Sequence, residues 1–238
     1  MKAKVFLIAD GETTGLGGKA YLFDFAYVIA TRKKVLIERQ FLIREVLTSP
    51  RIMLSAYTSK DWRDMMGKKL FTDYIPMLSR HETRLYNWSE VVATMRDDML
   101  TYGVDVFSAY NLDFDMRAIS TTQKYSGIGG KVLAYKPTLL CLWRFACDTL
   151  CNTPMYHRVA RELGPANGWI TPANNVRTNA EKVYAFLTTD YNFVESHTAL
   201  SDAQIETEIL QRLLAKRKTI PYNVLDHMPW KKAQLIGV

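Results

Sequence analysis

The tightest constraint on the fold is a near-continuous apolar run from Lys4 to Ala9 that leads directly into two acids, Asp10 and Glu12. A run of this length without polar alternation reads as a strand buried on both faces. Side chains alternate along a strand, so Phe6, Ile8, Asp10 and Glu12 share one face, and Val5, Leu7 and Ala9 the other. Two carboxylates therefore sit side by side at the end of a buried strand. Leaving them unpaired there is expensive, and no Lys or Arg follows in sequence until Lys19. A bound metal satisfies them economically; an arginine from elsewhere in the chain is the alternative.

Glycines at 15, 17 and 18 break the run. Tyr21 to Ala30 and Val35 to Ile43 are two further strands, joined by the polar Thr31-Arg32-Lys33-Lys34 turn and therefore antiparallel. Asp61 to Leu78 has interrupted helical spacing. Ser89 is the expected N-cap of a helix from Glu90 to Tyr102, with Val91, Met95 and Met99 on one stripe. Val104 to Ala109 reads as a short strand and Leu112 to Lys124 as a helix, closed by Gly127-Ile128-Gly129-Gly130. Thr138 to Leu150, Pro154 to Leu163, Asn179 to Leu187 and Leu200 to Lys216 read as helices, with a loop from Gly164 to Asn175. Three antiparallel strands followed by helices and a parallel strand give an α/β fold with a mixed sheet covered on both faces. In such sheets the site forms beyond the carboxyl ends of central strands. With 238 residues the chain suits one compact domain over 1–216, with a helical insertion at about 140–190 and an irregular tail over 217–238.

Two later helices carry inward acids. Leu112, Asp115 and Ile119 fall on one stripe, so Asp115 faces the sheet, whereas Asp113 lies off it and can pair with Arg117 one turn on. On the last helix Asp202 shares the stripe of Ile205, Ile209 and Leu213, while Glu206, Glu208, Gln211 and Arg212 read as solvent-facing. His197 stands just before that helix. Four inward acids with few sulfur or imidazole neighbours suit Mg²⁺ or Mn²⁺ better than Zn²⁺. Two such ions about 4 Å apart clamp an in-line phosphoryl displacement, and His197 is suited to take the proton of the attacking water near neutral pH. His81, His157 and His227 lack acidic company and read as structural.

Composition sets the partners. The net charge of +7 favours a polyanion. No apolar stretch is long enough for a membrane span, and the short N-terminal run does not read as a secretory signal. Cys141, Cys147 and Cys151 match no zinc spacing and read as buried apolar residues of a reducing, cytoplasmic compartment.

The motifs resemble a known family. Asp10-Gly11-Glu12-Thr13-Thr14-Gly15 resembles the first motif of the DEDDh exonucleases, the superfamily of the proofreading subunit of bacterial replicative polymerase. Asn111-Leu112-Asp113-Phe114-Asp115 is similar to the second, and His197-Thr198-Ala199-Leu200-Ser201-Asp202 to the third, in the family's order. The resemblance implies a ribonuclease H-like fold, two Mg²⁺ or Mn²⁺ ions and release of nucleoside 5′-monophosphates from the 3′ end of single-stranded or frayed DNA or RNA. It assigns metal binding to Asp10, Glu12, Asp115 and Asp202 and the general base to His197. Thr13, Thr14, Leu16, Asn111 and Phe114 would contact the terminal nucleotide. Gly11 stands where a larger residue is usual, and Tyr110 where His is common.

Other readings place the same site in an oligoribonuclease or RNA-processing enzyme, in a proofreading subunit of a polymerase assembly, or in a silent binding member. Gln234-Leu235-Ile236 in the tail faintly resembles a sliding-clamp peptide. Trp143, Phe145, Tyr156, Trp169, Tyr184 and Phe186 in the insertion are either a core for its helices or a stacking platform for bases. Oligomeric state, source and pathway carry no sequence signal.

Overall fold

A computed structural model of the protein describes residues 3–15, 20–56, 69–222, 228 and 231. Six strands form one sheet: β1 (Val5–Thr13), β2 (Leu22–Thr31), β3 (Val35–Ile43), β4 (Leu85–Tyr86), β5 (Val106–Ala109) and β6 (Thr138–Cys141), in the order β4-β3-β2-β1-β5-β6. β1, β2 and β3 are antiparallel neighbours, and β5 runs parallel to β1 and β6 parallel to β5. This is the mixed sheet, antiparallel strands followed by parallel ones, that the sequence pattern predicts.

The apolar run works as expected and extends further. β1 continues through Asp10, Gly11 and Glu12 to Thr13, so both acids are held by strand pairing, Asp10 opposite Ala26 and Glu12 opposite Asp24. Phe6 and Ile8 pack into one apolar layer; Val5, Leu7 and Ala9 pack into the other. Gly11 has a local reason. A Cβ there would lie 2.2 Å from Leu22 Cδ2, so the neighbouring strand fills the space that a larger residue would need.

The helices divide between the two faces. On the Leu7 face lie α4 (Trp88–Tyr102), through Val91, Met95 and Met99, and α5 (Leu112–Tyr125), through Leu112, Ala118 and Ile119. The Phe6 face is covered by α6 (Leu142–Ala146), α7 (Pro154–Leu163), α8 (Ala180–Thr188) and α9 (Ala199–Lys216). Short helices α1 (Arg44–Leu47), α2 (Pro50–Ala56) and α3 (Ile75–Ser79) lie between β3 and β4, the last preceded by a π-helical turn over Leu70–Tyr74.

Several boundaries differ from the sequence reading. Thr138 to Cys141 is the edge strand β6, not the start of a helix. Its backbone pairs with Val106 to Ala109, and Ser108 Oγ donates to Leu140 O. The α4 N-cap is Asn87, two residues before Ser89; the Glu90 carboxylate accepts the Asn87 N–H at 2.8 Å, which closes the helix start. Of the interrupted stretch from Asp61 to Leu78, residues 61–68 lie outside the described residues, as do Leu16, His227 and Gln234-Leu235-Ile236, and the remainder is helical. Asp113 pairs with Arg144 at 2.8 Å, across to α6, instead of with Arg117.

The insertion aromatics form core. Phe145, Tyr156 and Trp169 are fully buried, and Trp143, Tyr184 and Phe186 pack against the same layer. The Tyr156 ring centre lies 5.9 Å from that of Trp169 and 4.9 Å from that of Phe186, both pairs tilted. The three cysteines are buried and unpaired with one another as disulfides, as expected for small apolar fillers. No described helix is long and apolar enough to cross a membrane.

Candidate active site

β1 and β5 run in parallel, so their carboxyl ends open at the same edge of the sheet. Asp10 and Glu12 project from β1 on the face covered by α9. Asp115 enters from the first turn of α5, whose N-terminus follows β5 directly. Asp202 enters from the first turn of α9. Both helix starts carry partial positive charge that favours an acid.

These four carboxylates are brought together. Burial raises Asp10 well above the usual carboxylate range, and the nearby charges of Glu206, Asp115, Asp202 and Glu12 push it further. Burial pushes Glu12 up to about 7 against the opposing pull of Lys69, and does the same to Asp115. Asp202 is also raised to about 7, by burial and then by Glu195. Ligand atoms of Glu12, His197 and Asp202 lie within 4.8 Å of one another. One Asp202 oxygen, Oδ1, is buried without a hydrogen-bond partner among the described residues. An orphaned anionic oxygen among other oxygen donors fits a hard divalent cation.

His197 stands in the segment entering α9 with φ of 55°, a left-handed backbone unusual for a residue with a side chain. Its imidazole is about half exposed, and burial followed by Lys69 lowers its pKa.

The expected nucleotide contacts divide. Thr13 and Thr14 are buried, and their hydroxyls are engaged locally: Thr13 Oγ1 donates to Gly15 O, and Thr14 Oγ1 accepts from Tyr21 N. Asn111 is exposed at the head of α5, where its carbonyl accepts from Phe114 N at 2.8 Å. Phe114 is part-exposed and, among the described residues, packs into neither apolar layer. Leu16 falls among the residues not described.

Four further residues of the site were not anticipated. Glu206 is 2% exposed, which overturns its reading as solvent-facing. α9 packs on β1 and β2 and also against α6 and α8, so its buried arc is wider than the Ile205, Ile209 and Leu213 stripe. The Glu206 carboxylate accepts Tyr110 N at 3.0 Å. Asp24 is fully buried opposite Glu12 and accepts from Gln40, Tyr74 and the backbone of Ala199, pinning the start of α9 to β2. Glu195 is raised to about 7 by burial and by Glu181 and Glu12. Lys69 is 7% exposed, lies 3.5 Å from Glu12 and donates to His197 O. The α9 stripe itself pointed to Asp202; the lysine comes from 57 residues beyond Glu12 in sequence, and nothing local signalled it.

Two acids directly opposite on neighbouring strands repel, and Lys69 is the cation that offsets Glu12 and Asp24. Lys69→Met is therefore expected to destabilise the metal-free protein by roughly 2 kcal/mol at pH 8, and by less at pH 5, where Glu12 holds a proton. Urea unfolding in EDTA at the two pH values measures this. An equal effect at both would show that Lys69 acts by packing alone.

No protein-family model matches the chain, and no curated protein matches it in sequence. Among solved structures the chain is similar to one titled "Exonuclease X in complex with 5' overhanging duplex DNA", at 17% identity and a TM-score of 0.46, over 93% of this chain and 98% of that one. At that level of likeness the functional reading rests on the site itself.

Proposed function

We propose that this chain is a metal-dependent 3′→5′ exonuclease that releases nucleoside 5′-monophosphates from the 3′ end of single-stranded DNA or RNA. The observation that carries the reading is the convergence of Asp10, Glu12, Asp115 and Asp202 from three elements, with His197 beside them. Four buried or part-buried acids with Lys69 as the nearby cation among the described residues have no economical structural purpose, because like charges in a low-dielectric cleft cost free energy.

Asp10, Glu12, Asp115 and Asp202 would hold two Mg²⁺ or Mn²⁺ ions, which when bound supply the Lewis acidity for in-line attack of water on the terminal phosphodiester. The protein's own contributions follow from the geometry. The paired β1 backbone fixes Asp10 and Glu12 rigidly, and the two helix starts bring Asp115 and Asp202 to them. A ring nitrogen of His197, kept neutral by a lowered pKa, accepts the proton of the attacking water. Phe114 offers a flat apolar surface for the terminal base. The net positive charge favours approach of a polyanion to an acidic cleft that would otherwise repel it.

The test is incubation with 3′- and 5′-labelled single-stranded DNA and RNA of one sequence, and with two- to five-nucleotide oligomers, in Mg²⁺, Mn²⁺ or EDTA. The expected result is a metal-dependent ladder shortening from the 3′ end, slowed roughly 100- to 10,000-fold but still measurable in His197→Ala. The faster polymer identifies the substrate. Cleavage confined to the shortest oligomers would assign an oligonucleotide-clearing enzyme. No cleavage of any substrate with any metal overturns the nuclease reading.

A further inference from the structure

We propose that Glu195 is the positioning residue of the general base, and that the α7–α8 insertion exists in part to hold it. The inference rests on the nuclease reading above. Glu195 Oε2 lies 3.8 Å from His197 Nδ1; the carboxylate side chain is 11% exposed and the imidazole 47%. Among the described residues this is the one ion-pair distance that Glu195 makes. The contact is longer than a hydrogen bond, as is common where no substrate has closed the site.

The placement of Glu195 is itself supported in depth. Its backbone N–H donates to a Glu181 carboxylate oxygen at 3.2 Å. Glu181 is held by Lys182 at 2.9 Å. The Lys182 ammonium sits 5.7 Å from the centre of the fully buried Trp169 ring. Trp169 in turn packs on Tyr156 of α7. A line of contacts thus runs from the core of the insertion to the imidazole. Lys69 donates to the His197 carbonyl, where the backbone is left-handed. The ring is steered by Glu195 and the main chain by Lys69.

The chemistry gives this arrangement a purpose. A neutral imidazole has one N–H and one lone pair, and the partner of one nitrogen decides which is which. A carboxylate facing Nδ1 places the proton there and leaves the Nε2 lone pair for the attacking water. When water gives its proton to Nε2, the imidazolium charge is offset by the Glu195 carboxylate. A buried glutamate beside an already crowded set of acids is otherwise a pure cost.

The experiment compares Glu195→Gln, His197→Ala and the double variant, in kinetics and in ¹⁵N spectra of the imidazole ring. His197 is identified by the signals missing from His197→Ala. The expected results are a roughly 10- to 100-fold lower kcat for Glu195→Gln, an unchanged KM, unchanged Mn²⁺ affinity by calorimetry, and no further loss when Glu195→Gln is added to His197→Ala. In the spectra, the unaltered chain shows the proton on Nδ1 of His197, and Glu195→Gln moves it toward Nε2. An equal loss in both backgrounds, or a weakened Mn²⁺ affinity, would place Glu195 with the metal or the fold and overturn the proposal. So would an unaltered kcat together with an unaltered tautomer. If the unaltered chain cleaves nothing, the nuclease reading fails on its own account. The tautomer measurement still decides whether Glu195 orients His197.

Discussion

Asp10→Asn is expected to lower the cleavage rate roughly a thousandfold, about 4 kcal/mol of barrier, while making the metal-free protein more stable. The two effects have one cause. Asp10 sits where burial and four other carboxylates raise its pKa far above normal, so its charge opposes folding unless a cation is present. An amide of the same shape keeps the packing and removes the repulsion, for a gain of about 1–2 kcal/mol in EDTA. Saturating metal reverses the order, because binding stabilises the native state by about 2.7 kcal/mol at a hundredfold excess over Kd, and the asparagine variant forfeits most of that. Thermal unfolding with EDTA and with Mn²⁺, alongside the nuclease assay, reads all three quantities. A variant less stable than the parent in EDTA would mean that Asp10 is structural, and cleavage at the parental rate would remove it from the metal site.

That sign reversal follows from a feature that was partly legible in the sequence. The alternation of β1 placed Asp10 and Glu12 on one face because strand periodicity is strict, and the structure puts them on the face of Phe6 and Ile8. The helical stripes placed Asp115 and Asp202 for the same reason. Elements with weak periodicity were harder. Thr138 to Cys141 is apolar and short, and only pairing with β5 makes it a strand. Glu206 was misread because a stripe calculated for one packing surface misses a helix buried on two sides. Asp24, Lys69 and Glu195 became site residues through tertiary placement: cross-strand register for the first, the turn before α3 for the second, and the backbone link to Glu181 for the third. No local pattern encodes such contacts. The parts of the site that sequence revealed are those fixed by one element's own geometry, and the parts it hid are the ones that hold those elements together.

The pH dependence of stability is the sharper test of the whole cluster, because it should change slope when metal is added. Glu12, Asp115, Asp202 and Glu195 are each raised to about 7, Asp24 to about 6, and Asp10 and Glu206 are also raised. In the unfolded chain such groups titrate near 4. Between about pH 4 and 7 the native state therefore holds more protons than the unfolded state, and the stability of the metal-free protein falls as pH rises through that window. Below it the groups are neutral in both states. The groups share protons because they repel one another, so the expected net loss from pH 5 to 8 is about 2–4 kcal/mol, well below the sum of independent shifts at about 1.4 kcal/mol per unit. His197 has the opposite sign: its pKa is lowered, so it adds a little stability as pH rises through the unfolded value near 6.5. Its half-exposed ring keeps that term small. With saturating Mn²⁺ the ligands must lose their protons to bind, so affinity and stability both increase with pH over the same range. Unfolding midpoints in EDTA and in Mn²⁺ should thus diverge from pH 5 to 8, one falling and the other rising. Parallel curves would mean that the acids do not act together on a cation, whatever any single variant shows, because only a shared ion can convert their mutual repulsion into binding energy.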